Sequence, residues 1–261
     1  MKKKKRYIVI LVVLIIYVIV MFLVGEKNNS VKYKNDELTL IIGDNTILQN
    51  NEGKWLNITE NSTIQDLNWL EYNVYLDNKK LGNYYLWYNE EKWYIFDSNK
   101  KAVNEEGNLI AYKANYEIKI KDFTSKDIRN YYNVQKILEE NNLDTSSQFT
   151  VATETTIDID SDGNTETLYF VSNAFPLDFN PSKIFSFVFM LKDGQIYKLY
   201  NSVENNGVNN GCKPYLSAVL DIDHDDNYEL AITCAEYSVM KPTVMLYKLV
   251  DDEFKILISN K

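Results

Sequence analysis

TIDIDSDGNTETLYF (residues 156–170) sets three aspartates and a glutamate within nine positions and then turns apolar. LDIDHDDNYELAI (220–232) repeats the arrangement, with Asp221 standing where Asp158 stood 63 residues earlier. FTVATETTIDI leads into the first acidic segment and ETLYFVSNAF leads out; PYLSAVLDI and ELAITCAEYS flank the second. Short runs of this kind, rich in β-branched and aromatic residues and bounded by turn formers, read as strands. Each pair is followed by a hairpin pattern, IFSFVFMLKDGQIYKLYNS with Lys192, Asp193 and Gly194 at its turn, and TVMLYKLVDDEFKILIS at the C-terminus. The unit strand, acidic loop, strand, hairpin therefore occurs twice and predicts a β-repeat module over residues 149–261.

In the first loop Asp158, Asp160 and Asp162 occupy positions 1, 3 and 5, Gly163 position 6, Asn164 position 7 and Glu166 position 9. Four carboxylates about 6 Å apart repel by roughly 0.7 kcal/mol per pair in water, about 4 kcal/mol over six pairs. A hard dication removes that penalty. Alternate side chains at positions 1, 3 and 5 converge on one centre, which the position 7 carbonyl and the position 9 carboxylate complete. A flexible all-oxygen set favours calcium over magnesium, which holds its waters, and over zinc, which takes His or Cys. Glycine at position 6 permits a positive φ without steric cost. In the second loop Asp221, Asp223, Asp225, Asn227 and Glu229 take the same places, with Asp226 where glycine is expected and His224, the sole histidine, at position 4.

Position 12 is Tyr169 in one loop and Ile232 in the other, so neither is an EF-hand. The loops resemble instead the DxDxDGxxD/E calcium loops of FG-GAP and VCBS repeat proteins, the integrin-like blades of extracellular β-propellers. The resemblance covers residues ~150–261 and implies Ca2+ held by Asp158, Asp160, Asp162, Asn164 and Glu166, and by Asp221, Asp223, Asp225, Asn227 and Glu229. The FG and GAP tripeptides are absent, and two repeats are too few to close a propeller of four or more blades. A partial propeller and a compact sandwich both remain open.

The rest of the chain reads outward from this module. Residues 1–6 are a basic tail, and residues 7–25 read as a transmembrane anchor, whose eighteen uncharged positions from Tyr7 to Val24 make about 27 Å of helix, enough to cross a hydrocarbon core. The run is long for a signal peptide and lacks a small-x-small cleavage site, which favours an uncleaved signal anchor. The basic cluster then stays in the cytoplasm and the C-terminal region lies outside the cell membrane. Residues 26–35 are polar and read as a stalk, and residues 36–123 alternate like an antiparallel β module. Residues 124–143 carry Ile128, Val134 and Leu138 at helical spacing behind Thr124 or Ser125 and predict one connecting helix. The expected class is mainly β, with a transmembrane helix ahead of it.

Of 28 basic residues the first five lie in the tail, leaving 23 against 37 acidic, a net of −14 for the remainder. Such a surface excludes nucleic acid as a partner and suits divalent cations. One histidine rules out Ser-His-Asp, Cys-His and HExxH chemistry unless His224 itself serves, and no phosphate-binding glycine loop is present. The expected role is an interaction or adhesion-type module, with a protein or a cell-wall glycan as partner. An extracytoplasmic sensor is the alternative, and a hydrolase using Asp178 or Glu204 a distant third. The aromatic cluster from Tyr72 to Phe96 reads as cross-strand packing or as a glycan-stacking face. Cys212 and Cys234 flank the second loop and stand either as a bridge in an oxidising exterior or as two buried thiols.

Overall fold

A computed structural model describes residues 38–44, 46–51, 53–144, 149–174, 183–205, 211–236, 242–251 and 253–259. The expected tail, anchor and stalk lie outside these residues. Among the described residues no helix is long and apolar enough to cross a membrane.

The alternating runs form antiparallel sheets. In the first repeat β10 (Val151–Ile157), β11 (Glu166–Ser172), β12 (Lys183–Lys192) and β13 (Gln195–Asn205) make an up-and-down meander. In the second, β14 (Cys212–Asp221), β15 (Glu229–Glu236), β16 (Thr243–Val250) and β17 (Glu253–Ser259) do the same. Each acidic segment is the loop between the first two strands of its meander.

The N-terminal strands build a seven-stranded sheet in the order β3-β2-β1-β7-β4-β5-β6. These are β1 (Leu38–Ile42), β2 (Thr46–Asn51), β3 (Lys54–Asn57), β4 (Glu71–Leu76), β5 (Lys79–Asn89), β6 (Lys92–Phe96) and β7 (Leu109–Lys113). Two short strands, β8 (Lys119–Ile120) and β9 (Ser125–Asp127), join the other sheets. β8 pairs with β14 and β9 with β10, so residues 119–127 form a strap along the first strand of both meanders.

Period-two alternation explains how the three sheets stack. Leu168, Phe170, Val188 and Met190 of the first meander face Leu216, Val219, Leu230 and Ile232 of the second in one core. Ala218, Leu220, Ala231 and Leu246, on the other face of the second meander, meet Leu40, Ile42, Leu48 and Ile110 of the seven-stranded sheet. The middle sheet is thus buried on both faces, with small alanines where the partner approaches. The two outer faces are covered by helices. α1 (Asn61–Asp66) supplies Ile64 over Tyr72, Val74 and Leu86. α2 (Tyr132–Glu140) supplies Val134, Ile137 and Leu138 over Tyr169, Phe185, Phe187 and Phe189.

Three expectations need correction. The helix expected over 124–143 runs only over Tyr132–Glu140. The Thr124–Ser125 signal is overridden because Ser125 pairs with Thr155, their hydroxyls 2.7 Å apart, and strand pairing there competes with a helical turn. The β module expected over 36–123 loses its last strand to the second meander, since β8 extends the sheet beside Leu220 and Asp221. It also contains α1, which its polar sequence NSTIQD does not advertise. The two expected modules are packed through a shared core, and Glu37–Lys261 is one compact unit.

Cys212 and Cys234 lie on adjacent strands, two residues off the direct pairing of Pro214 with Cys234, and are joined as a disulfide with Cα atoms 5.3 Å apart.

Candidate metal centres

The two acidic loops share one backbone conformation. Positions 4 and 6 are left-handed in both: Ser161 (φ 57°) and Gly163 (φ 89°), His224 (φ 61°) and Asp226 (φ 62°). Asp226 replaces glycine there because Asp and Asn tolerate this region better than other side chains. In each loop the position 9 glutamate reaches back to the position 2 amide: Ile159 N–H donates to Glu166 Oε2 and Ile222 N–H to Glu229 Oε2, both at 2.9 Å. The position 7 amide donates to the position 5 carboxylate, Asn164 to Asp162 at 2.7 Å and Asn227 to Asp225 at 2.9 Å. Position 1 is reached from inside the loop as well, by Gly163 N–H to Asp158 Oδ2 (3.3 Å) and Asp225 N–H to Asp221 Oδ1 (3.1 Å).

This frame gathers Asp158, Asp160 and Glu166 in the first loop, with one oxygen of each within 4.8 Å of the others. In the second it gathers Asp221, Asp223 and Asp225. Asp162 is exposed and its carboxylate is taken up by the Asn164 amide, which lowers its pKa first through that backbone bond. Asn164 is exposed, and its side-chain amide binds Asp162 Oδ2 at 3.2 Å. Asn227 turns its side-chain amide toward the Asp225 carbonyl at 3.5 Å. Glu229 is buried beside the second cluster and desolvation pushes its pKa up to about 7; burial raises Glu166 in the same direction. His224 is exposed on the loop and belongs to neither cluster.

Three lysines that the loop spacing did not single out enter these sites. Lys192, at the end of β12, bonds Asp160 Oδ2. Lys248, on β16, lies 2.6 Å from Asp223, 2.9 Å from Asp225 and 3.0 Å from Glu229. Lys119, on the strap, lies 3.1 Å from Asp221 and also pairs with Asp226. Burial works against the Lys248 charge, but its bonds to Asp223, Asp225 and Glu229 outweigh that and hold its pKa above the ordinary lysine value. Strand register was the available signal. Thr167 opposite Leu191 sets Lys192 across from Glu166, and Leu230 opposite Tyr247 sets Lys248 across from Glu229.

The ammonium groups do not satisfy the loops. Four carboxylates in the first loop share the Lys192 ion pair and five in the second share Lys119 and Lys248, so acids outnumber the paired ammonium groups at each. Asp158 Oδ1 and Asp160 Oδ1 are buried without a hydrogen bond, and Asp221 Oδ2 is buried with only the Lys119 ammonium, 3.1 Å away, to receive it. Buried carboxylate oxygens are ordinarily satisfied, so the two unpartnered ones that sit together in the first loop fit a hard cation.

The loops also touch each other. Tyr228 N–H donates to the Ile159 carbonyl at 2.8 Å, and the Ser161 hydroxyl to the Asp226 carbonyl at 2.9 Å. Lys121 bonds the Asp158 carbonyl and lies over the Tyr228 ring, 4.5 Å from its centre.

Away from the loops, Trp69, Trp87 and Tyr94 form a row across the edge of the seven-stranded sheet, with centroids 6.5 and 5.6 Å apart and Phe96 beside them. Tyr72, Tyr88 and Trp93 turn to the opposite, buried face. Asp178 and the Glu204 side chain lie outside the described residues. No family model matches the chain, and neither a curated protein nor a solved structure matches it significantly.

Proposed function

We propose that the chain is a membrane-anchored, extracytoplasmic β-repeat protein in which calcium staples the two acidic loops and the stacked sheets present a binding surface. Its role is that of an interaction or adhesion-type module rather than an enzyme, with a protein or a cell-wall glycan as partner. The observation that carries the calcium reading is the pair of buried carboxylate oxygens without a hydrogen bond, Asp158 Oδ1 and Asp160 Oδ1, beside Glu166 in the first loop, with a matching cluster of Asp221, Asp223 and Asp225 in the second. Asp158, Asp160 and Glu166 would hold one ion and Asp221, Asp223 and Asp225 the other, with Glu229 beside it. The chemistry supplied by the ion is charge neutralisation. Extracellular sites of this kind bind at about 10⁻⁴ to 10⁻³ M, so occupancy would be near constant where calcium is millimolar. The row Trp69, Trp87 and Tyr94 is the surface that speaks for a glycan partner.

The direct bonds between the loops favour a second reading, a sensor in which filling one site shifts the other and the sheets that carry them. Calcium titration of the full chain separates the two. A staple raises the melting temperature with an unchanged scattering radius, whereas a sensor changes the radius. No calorimetric heat with millimolar Ca2+ and an unaltered melt in chelator would remove both.

A further inference from the structure

We propose that Lys192 and Lys248 are tethered counter-ions that compete with a divalent cation for the loop oxygens and so set the affinity of each site. The proposal rests on the calcium reading and concerns the regulation of the same sites.

The two lysines occupy the same place in each repeat. Each stands on the third strand of its meander, across from the position 9 glutamate, and points along the sheet into the acidic loop. Their side chains are 11% and 12% exposed, against 48% for Lys119 and 55% for Lys126. A lysine held this far from water keeps its charge only where carboxylates receive it. Lys248 spends its three N–H donors on Asp223, Asp225 and Glu229. Two of these acceptors, Asp223 and Asp225, belong to the cluster that would ligate the ion. Lys192 likewise takes Asp160, a member of the first cluster.

One set of oxygens cannot serve both cations. A dication with ligands at about 2.3–2.6 Å needs the lone pairs that the ammonium occupies, and the two charges repel at that distance. The ion therefore enters by exchange, with the lysine swinging out on its flexible stem. In the absence of the ion the same lysine holds the loop closed. The device would lower the affinity of each site for metal below what the oxygens alone would give.

The test is calorimetric Ca2+ titration of the full chain and of its Lys248→Met variant, with thermal melts in chelator. Methionine keeps an unbranched apolar stem and removes the charge. Losing a competitor equal to one charge-assisted hydrogen bond should lower the Kd about ten- to a hundredfold at the second site, while the melting temperature in chelator drops. Lys192→Met, which frees one carboxylate instead of three, should lower the first-site Kd by less. This second variant keeps the question answerable if Lys248→Met does not fold. Binding by the variants but not by the wild type would support the exchange in its strongest form. Equal or weaker Ca2+ affinity in the variants overturns it while leaving the calcium reading intact, and absence of binding in all three chains overturns both.

Discussion

Protonation of Glu229 gives the second loop a pH dependence whose sign depends on calcium. Burial raises its folded-state pKa to about 7 from an ordinary 4.5. A carboxyl raised on folding favours the native state while protonated, so its contribution is fully present below pH 4.5 and is lost as pH rises through 7. The shift corresponds to about 3 kcal/mol across that window. The lysines are raised above their ordinary value and Asp162 and Asp225 lowered below theirs, both away from this window, so neither masks the effect. Glu166 is shifted in the same direction and would add to it. Urea unfolding of the full chain in chelator between pH 4.5 and 8 reads the slope, and Glu229→Gln isolates this residue's share. Glutamine keeps the oxygen that accepts the Ile222 N–H and cannot titrate. With millimolar Ca2+ the slope should reverse at the second site, because the ion prefers the deprotonated carboxylate. Identical pH slopes in wild type and Glu229→Gln would refute the assignment, and a wild-type slope that calcium leaves untouched would refute the link to the metal.

Two further outcomes test the frame that holds the loops. Reduction, or the Cys212→Ala/Cys234→Ala pair, should cost about 3 kcal/mol for a closed loop of 22 residues, measured as a fall in the denaturation midpoint. Gly211→Ala should destabilise by about 1–3 kcal/mol, because the new methyl would lie 2.2 Å from Ile184 Cγ2 and 3.0 Å from Ala174 Cβ; an unchanged melting temperature would show that the segment before β14 relaxes freely.

The meanders were legible because period-two alternation and turn residues coincide from Val151 onward. The loop oxygens were legible because alternate aspartates are informative without any tertiary knowledge. Other features depend on contacts distant in sequence. Ser125 reads as a helix cap until Thr155 is placed beside it, and strand pairing then takes precedence. Lys192 reads only as part of a hairpin turn, and Lys248 is not singled out, until strand register sets them opposite Glu166 and Glu229. Ser172 and Ser186 carry no signal in the sequence, yet both donate to the Cys212 carbonyl, at 2.8 and 2.7 Å, and tie the meanders together inside the core.

The strap along β10 and β14 bears on where the polypeptide may be cut. A C-terminal fragment beginning at residue 149 would leave both leading strands with unpaired amides and carbonyls, an invitation to intermolecular pairing and precipitation. Fragments starting ahead of Lys119 carry their own edge protection. A synthetic peptide spanning 117–128 would be the natural complement to rescue the shorter piece in trans.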